Sequence, residues 1–299
     1  MKISPIHKVF LLLLYAGFNA DMRAQFEQLI FKPSGVVSDA VSDIDSLLFN
    51  SSGDTLFVVS QSGETASHLL SEIDSVAFTP LINSNDHSCG ADSVHNAAFI
   101  YGSVSDLDGT SYKTIIIGNH EWMAENLKSR RFANGDTIPY VPANISWQSL
   151  TTGAYSWWNN DSTTYDCPYG KLYNWYAVAD LRNVCPAGWH VPSDDELTNL
   201  ENLLGGFSAA GGKMKSQGIQ FWNTPNLSAD NSSGFSALPG GHRLDIGAFG
   251  SVGDGCYLWT STPYDTQSAT YHFIAFNLVG IIVSNSNKTV GYSVRCKRD

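Results

Sequence analysis

Short apolar runs, separated by polar turn residues, fill the first part of the chain. The segment Asp54–Ser60 (DTLFVVS) contains such a run and lies between Gly53 and Gly63, a pattern that predicts a strand bounded by turns. Two similar octapeptides, SDIDSLLF at 42–49 and SEIDSVAF at 71–78, each place a polar turn before a short apolar strand. Two copies are too few for a solenoid. Residues 25–85 are therefore predicted to form a small β-rich element that packs on the main domain or links to it.

Helical spacing appears first near the middle of the chain. Leu172, Trp175, Tyr176 and Ala179 follow the i, i+3, i+4, i+7 rule. This spacing predicts one amphipathic helix over residues 170–182.

A second helix is predicted to begin after Ser193. The segment SDDE at 193–196 has the form of a capping box, in which Ser193 and Glu196 bond each other's backbone N–H groups. Leucines then recur every three or four positions, and the glycine pair at 205–206 ends the pattern. Trp189 and Val191, just before the cap, are expected to fasten it to the core.

Turns and short strands dominate the rest of residues 86–299. The tetrapeptide DLDG at 106–109 predicts a hairpin turn before a strand at Tyr112–Ile117, and Asn134-Gly135 predicts another turn. Four later segments are predicted to be short strands with Gly and Asn turns: FSALPGGHR, YLWTSTPY, YHFIAFNLVGIIVS and TVGYSVRCKR. Helices followed by antiparallel strands favour the α+β class.

The N-terminus has the pattern of a secretory signal peptide. It combines a basic start, an apolar run at Val9–Phe18 and small residues near position 24. We expect residues 1–24 to be removed after Ala24. No other segment is apolar for long enough to span a bilayer. The mature chain is therefore expected to be exported without membrane insertion, to the extracellular space, the cell surface or the periplasm.

The net charge of the chain narrows the classes of molecule that it is expected to bind. The 299-residue chain has a formal net charge of -11, which argues against nucleic acid and against an anionic membrane surface. Only 15% of its residues are charged, and the eight tryptophans all lie between Trp122 and Trp259. A polar, uncharged ligand is compatible with this composition.

Most signals of catalysis are absent or have simpler explanations. Asp194, Asp195 and Glu196 occupy the first turn of a predicted helix, where the helix dipole favours anions. No G-x-S-x-G motif and no phosphate-binding loop occur. His87, Cys89 and His95 lack the spacing of a zinc site, so no metal site and no cofactor are predicted. Cys256, in GDGCYLWTST, is the one candidate nucleophile, and a structural role is expected for it.

Aromatic residues in loop-like segments are the remaining candidates for ligand binding. Trp and Tyr rings are amphipathic, and neighbouring Asn and Asp side chains can bond the hydroxyls of a sugar. The densest cluster is YSWWNNDSTTYD at 155–166, with further aromatics in QFWNTPN and YLWTSTPYD. The predicted ligand contacts are Trp157, Trp158, Asn159, Asp161, Trp222 and Tyr264.

Five motifs in order give the chain a family resemblance. They are VSDLDGTSYKTIIIGNHEWMAENLK, YGKLYNWYAV, VCPAGWHVPSDDEL, GFSALPGGHR and YSVRCK, between Val104 and Lys297. This pattern resembles the Fibrobacter succinogenes major paralogous domain, which is similar to the C-type-lectin-like and formylglycine-generating-enzyme-like superfamily. The resemblance implies an exported bacterial protein, often from Bacteroidetes-type organisms. It implies a twisted antiparallel sheet, two main helices and long loops over residues 86–299.

The resemblance also implies a disulfide between Cys185 and Cys296, because lectin-like folds commonly tie their final strand to an early helix. The pairing of Cys89, Cys167 and Cys256 stays open. The sequence departs from sugar-binding C-type lectins at one point: WNND at 158–161 lies before the predicted helices, in the wrong order for the calcium loop. Calcium-dependent sugar binding is therefore not expected.

Three functional hypotheses follow. The first is an exported, non-catalytic binding or adhesion module that presents aromatic and polar loops to a glycan or a surface protein. The second is a thiol-dependent oxidase of the formylglycine-generating type, which would need Cys256 as a free thiol of low pKa and copper as a fitting metal. The third is a structural component of a surface assembly that docks through residues 26–85.

Overall fold

The computed structural model of the chain describes residues 26–32, 35–40, 44–49, 51–60, 65–69, 71, 75–80 and 94–299. The predicted signal peptide, 1–24, lies outside these residues. The chain separates into two compact units, Met1–Asn83 and Ser84–Asp299.

The described part of the first unit consists of two three-stranded antiparallel sheets. One has the order β2-β1-β6 and the other the order β3-β4-β5. The strands predicted in the two similar octapeptides are present, at Ile44–Phe49 and at Ser75–Pro80, and they belong to different sheets. The strands are β1 (Phe26–Lys32), β2 (Gly35–Ala40), β3 (Ile44–Phe49), β4 (Thr55–Ser60), β5 (Thr65–Leu69) and β6 (Ser75–Pro80).

The second unit is mixed and rich in sheet, in agreement with the α+β prediction. Its strands are β7 (Gly102–Ser105), β8 (Ser111–Ile117), β9 (His120–Met123), β10 (Tyr155–Ser156), β11 (Leu172–Asn174), β12 (Trp189–His190), β13 (Gly240–Arg243), β14 (Phe249–Val252), β15 (Gly255–Pro263), β16 (Ser268–Ala275), β17 (Ile281–Asn287), β18 (Gly291–Tyr292) and β19 (Lys297–Arg298). Its α-helices are α1 (Asn144–Gln148), α2 (Ser162–Tyr165), α3 (Trp175–Val178), α4 (Asp194–Leu203) and α5 (Ala210–Met214), and a 3-10 helix spans Trp158–Asn160.

Three sheets organise this unit. Two are five-stranded, with the orders β10-β11-β18-β13-β14 and β12-β19-β9-β8-β7, and the third is β15-β16-β17. Strands β18 and β19 are close to the end of the chain in sequence. Both nevertheless occupy interior positions of the five-stranded sheets, so residues 291–298 pair with segments from earlier in the chain.

The helix predicted over residues 170–182 is wrong in most of its length. Residues 172–174 are a fully buried strand that pairs with β10 and β18, with Tyr173 opposite Tyr292. The Asn174 side chain then accepts the Ala177 N–H and caps the one-turn helix α3. Since residues 172–174 are surrounded on all sides, their apolar positions satisfy helical spacing by coincidence.

The second predicted helix is confirmed as α4. Its capping box is complete: the Ser193 hydroxyl accepts the Glu196 N–H, and the Glu196 carboxylate accepts the Ser193 N–H. Leu197 and Leu200 are buried, and so are Trp189 and Val191 before the cap. Among the described residues α4 is the only α-helix longer than five residues, so the second main helix is not found there.

The segment before α4 is tied to the end of the domain by a disulfide. Cys185 and Cys296 form the bond that the family resemblance implied, and both are at most 1% exposed. Next to it the guanidinium of Arg295, also buried, donates to Asn126 and to the backbone carbonyls of Phe235 and Ser236. Three distant segments therefore meet at residues 295–296.

A second buried cation has no acidic partner within the part of the chain that the structure describes. The Lys215 ammonium at the end of α5 donates to the carbonyls of Leu227, Ala275 and Leu278 at 2.8, 3.1 and 2.9 Å. Burial lowers the pKa of Lys215 to about 8. This contact joins α5, the 223–228 loop and the end of β16.

A buried histidine fastens α4 to β16. His272 is 2% exposed, and its ring nitrogens bond Glu201 and Asp194, the latter at 2.8 Å. Burial alone would lower the pKa of His272, but the bonds and charges of the two carboxylates outweigh it and raise that pKa. The side chain therefore links β16 to α4 through two carboxylates, and its raised pKa favours the cationic form.

Removal of the disulfide is expected to destabilise the second unit. Each of Cys185→Ala and Cys296→Ala should lower the free energy of unfolding by about 2–5 kcal/mol, because the bond closes a long loop in the unfolded chain. Urea unfolding would measure the loss. The double variant should lose about as much as either single variant, since the bond is broken once. A fully additive double variant would contradict this account.

The His272 contacts make stability pH-dependent. The stabilisation by the imidazolium is fully present below about pH 6.5, the ordinary histidine pKa, and is lost as the pH rises through the raised pKa of the folded state. His272→Leu should cost about 3–5 kcal/mol at low pH, since it leaves a buried carboxylate unpaired. It should also remove this part of the pH slope. The comparison is urea unfolding from about pH 5 to about pH 9. The exposed His120→Leu variant is the control, and an unchanged slope in His272→Leu would refute the assignment.

Candidate functional site

The tryptophan-rich loop predicted to bind a ligand is a rigid turn with unusual backbone. It leaves β10 at Trp157 and forms the 3-10 helix, in which Asn159 and Asn160 have φ values of 53° and 57°. These positive φ values lie in the left-handed region of backbone conformation. Non-glycine residues there cost free energy, and they occur often at functional sites. Asp161 then caps α2, since its carboxylate accepts the N–H groups of Thr163 and Thr164.

The ammonium group of a buried lysine, Lys171, contacts residues of this loop. The Lys171 ammonium lies 2.9 Å from an Asp166 carboxylate oxygen and 2.6 Å from the Lys128 carbonyl. It also lies 5.2 Å from the Trp157 ring centre, within the range of a cation–π contact. The Trp157 N–H donates to Asp166 at 2.7 Å. Burial lowers the pKa of Lys171, and Asp166 opposes that shift.

Five partly exposed rings form a continuous row, which we call the aromatic row. They come from this loop, from strand β14 and from the loop that contains Phe221. Successive ring centres are separated by 6.1, 4.7, 6.1 and 6.2 Å. All five residues are partly buried and partly exposed. In order, the rings are Phe249, Trp158, Tyr165, Tyr169 and Phe221.

The row is held in place at one end, where Phe249 meets Trp158. The Trp158 N–H donates to the Gly250 carbonyl at 3.1 Å, which joins the loop to β14. Under Phe249 lies the fully buried Arg243, whose guanidinium is 4.8 Å from that ring. Arg243 also donates to the carbonyls of Val141 and Pro142, and burial lowers its pKa to about 10. Cys167, between Tyr165 and Tyr169, is disulfide-bonded to a partner outside the described residues.

Polar groups lie in the same loop as the row. Asn159, Ser162, Thr163 and Thr164 are exposed. Asn160 donates to the Pro142 carbonyl, but its buried Oδ1 has no hydrogen-bond partner. Apolar faces beside uncharged donors and acceptors suit an amphipathic ligand.

The predicted contact residues fall into different places. Trp157 and Trp158 are partly buried, Asn159 is exposed, and Asp161 is committed to the cap of α2. Tyr264 is 65% exposed in the turn between β15 and β16, and no ring contact joins it to the aromatic row.

Trp222 belongs to the core. It is 1% exposed, and its indole N–H donates to Ser216 and to the Ala237 carbonyl. The neighbouring Phe221 faces the other way and joins the row. The segment QFWNTPN thus contributes a surface ring, but one residue before the tryptophan that the sequence favours.

Four members of the row were not singled out from the sequence. Tyr165 and Tyr169 follow the tryptophan pair in the same loop, so the local density of aromatics was the available signal. Phe249 and Phe221 come from segments far away in sequence. Nothing in the order of residues places those segments beside Trp158.

Cys256 does not have the properties of a reactive thiol. It is a free cysteine, it is 0% exposed, and burial raises its pKa to about 11. A thiol-dependent oxidase needs the opposite, an accessible thiol of lowered pKa. In the part of the chain that the structure describes, no group of His, Cys, Asp or Glu side chains is arranged to hold a metal ion.

A small cavity lies elsewhere, between the β8–β9 hairpin and α4. It has a volume of ≈ 140 Å³, and its walls include Ile117, Trp122, Leu200 and the ion pair of Glu196 with Lys297. None of the predicted contact residues lines it.

Comparison with known proteins gives the family. Residues 115–298 match the model of the Fibrobacter succinogenes major domain, and this match covers more than half of the chain. The chain therefore belongs to the Fibrobacter succinogenes major domain family. Neither the curated proteins nor the solved structures contain a match. Within the described residues, no helix has the length and apolar character needed to cross a bilayer.

Because Cys256 is buried, we expect its thiol to be unreactive in the native protein. A thiol reagent at about pH 8 should leave the native protein unmodified, because only the thiolate reacts and the thiol is inaccessible. In guanidinium chloride without a reductant, Cys256 should react, identified by peptide mass spectrometry. Rapid modification of Cys256 in the native protein would contradict its placement and revive the oxidase hypothesis.

Proposed function

We propose that this member of the Fibrobacter succinogenes major domain family is an exported, non-catalytic binding or adhesion module that holds a glycan on its aromatic row. Its scaffold is proposed to be C-type-lectin-like. A surface protein is the alternative ligand.

The aromatic row is the observation that carries the proposal. Its rings come from three separate segments of the chain, yet they meet in one line. Arg243 lies under Phe249 in the row, and Lys171 lies under the neighbouring Trp157. Partly exposed rings that are held by buried cations lose little conformational entropy when a ligand stacks on them. A row suits an extended ligand with repeated flat apolar faces better than a single small molecule.

Chemistry favours a sugar over a charged ligand. The loop offers amide and hydroxyl groups, and the carboxylate of Asp161 is already bonded to backbone N–H groups. The net charge of -11 would repel nucleic acid and acidic polymers. Trp157, Asn159 and Asp161 are proposed as flanking contacts in the same loop, and Tyr264 as a separate one.

Several features support the scaffold and the export. The disulfide between Cys185 and Cys296 ties the end of the domain to the segment before α4, as in lectin-like folds. Disulfides persist mainly in oxidising compartments. The signal-peptide pattern of residues 1–24 agrees with export.

Substitutions in the row test the proposal. Phe221→Ala, Tyr165→Ala and Trp158→Ala should each weaken glycan binding about five-fold or more, since truncation of an interface aromatic at a hot spot costs more than about 1 kcal/mol. A glycan array with the wild-type mature chain identifies the ligand, and titration calorimetry then compares the variants. Thermal unfolding confirms that each variant is folded.

Leu181→Ala is the matched control, because Leu181 is fully exposed and lies outside the row. It should bind like the wild type. Tyr264→Ala shows whether the site extends to the β15–β16 turn. The proposal fails if the wild type binds no glycan, or if folded row variants all keep wild-type affinity.

A further inference from the structure

The three-stranded sheet of the second unit has an open edge at β17. Among the described residues β17 pairs only with β16. Residues 282–285 are exposed, including Ile282 at 44% and Val283 at 45%. An open edge presents unpaired backbone groups that can pair with another strand.

The backbone groups at this edge can be assigned. The Ile281 N–H donates to the Phe207 carbonyl, which lies outside the sheet. Since successive residues of a strand direct their N–H and C=O groups to opposite sides, Val283 and Asn285 also direct theirs away from β16. The Asn287 carbonyl is already bonded by Val290 N–H. Among the described residues, Val283 and Asn285 are therefore the residues of β17 whose outward N–H and C=O groups are both unbonded to other backbone groups.

This edge lacks the usual protection. Native edge strands are commonly guarded by charged residues, prolines, bulges or short length. Here β17 is seven residues long, with the sequence IIVSNSN and a regular register to β16. No Asp, Glu, Lys or Arg occurs from Thr266 to Asn287. Lys288, the next residue, is 8% exposed and donates to the carbonyls of Asp265 and Thr266, so its charge does not shield the edge.

The free groups are self-complementary. If two copies of β17 meet antiparallel around a two-fold axis at Ser284, Val283 of one lies opposite Asn285 of the other. Each such pair exchanges two backbone hydrogen bonds, and the axis generates the pair twice. A net charge of -11 opposes self-association elsewhere, but β17 itself carries no charged residue, so the two edges do not repel each other.

We propose that the open edge of β17 is the interface of a homodimer, in which the β15-β16-β17 sheets of two chains join antiparallel about Ser284. The dimer doubles the number of aromatic rows per particle. It does not depend on what the row binds.

A cysteine at the axis gives the sharpest test. Around Ser284 the two strands form a non-hydrogen-bonded pair, whose Cα atoms lie about 4.5 Å apart, a separation that suits a disulfide. Ser284→Cys in the mature chain should therefore form a covalent dimer under mild oxidation, seen on a non-reducing gel. Ser286→Cys is the matched control, since its two copies would be displaced along the strands and should not crosslink.

A second variant tests the hydrogen bonds themselves. Val283→Pro removes an outward N–H and leaves the bonds to β16 in place. The wild type should have twice the mass of one chain by light scattering at high micromolar concentration, and Val283→Pro should have half the wild-type mass, with thermal unfolding showing that it is folded. A monomeric wild type overturns the proposal, even if a strand from another protein pairs at this edge. Equal crosslinking through positions 284 and 286 overturns it as well.

Discussion

The order of the second unit depends on the anchoring of residues 291–298 between earlier segments. Arg295 and Cys296 lie side by side there, one donating to carbonyl oxygens and the other bonded to Cys185. β18 before them and β19 after them lie inside the two five-stranded sheets. Because both sheets share this short stretch, loosening it would affect both, together with the segment that precedes α4.

Buried cations bonded to carbonyl oxygens are the second organising device. Four buried cations each donate to backbone carbonyls, and no carboxylate among the residues that the structure describes lies within bonding distance of them. They are Arg243, Arg295, Lys215 and Lys288. Burial of a charge is costly unless it is paired or hydrogen-bonded. These carbonyls offset part of that cost, and in return the loops that supply them are fixed. This explains how a unit with few long elements presents a defined surface.

Local signals in the sequence predicted local structure well. The α4 capping box, the strand predicted at Tyr112–Ile117 and the turn at Asn134-Gly135 depend on residues close in sequence, and the structure has all three. The helix over 170–182 failed because the pairing of Tyr173 with Tyr292 is decided by distant partners.

The candidate site likewise combines features that local sequence predicts with features that depend on distant residues. Trp158 was predicted from the composition of its own loop. Its neighbours Phe249 and Phe221 reach it only through the fold, and Arg243 supports the row through bonds to residues about 100 positions away. The sequence predicted Trp222 as a ligand contact, whereas the structure places the adjacent Phe221 at the surface. Which of these two rings faces the core depends on the packing around Ser216 and Ala237.

The position of β18 and β19 also has a consequence for biosynthesis. A ribosome makes residues 291–298 after the 290 residues before them, yet these late residues supply an inner strand to each five-stranded sheet. A nascent or prematurely terminated chain that stops before Gly291 has a gap in the middle of both sheets and leaves Cys185 without its partner. Such a chain would expose apolar strands to proteases and chaperones. Neither five-stranded sheet can therefore be completed until residues 291–298 have been synthesised.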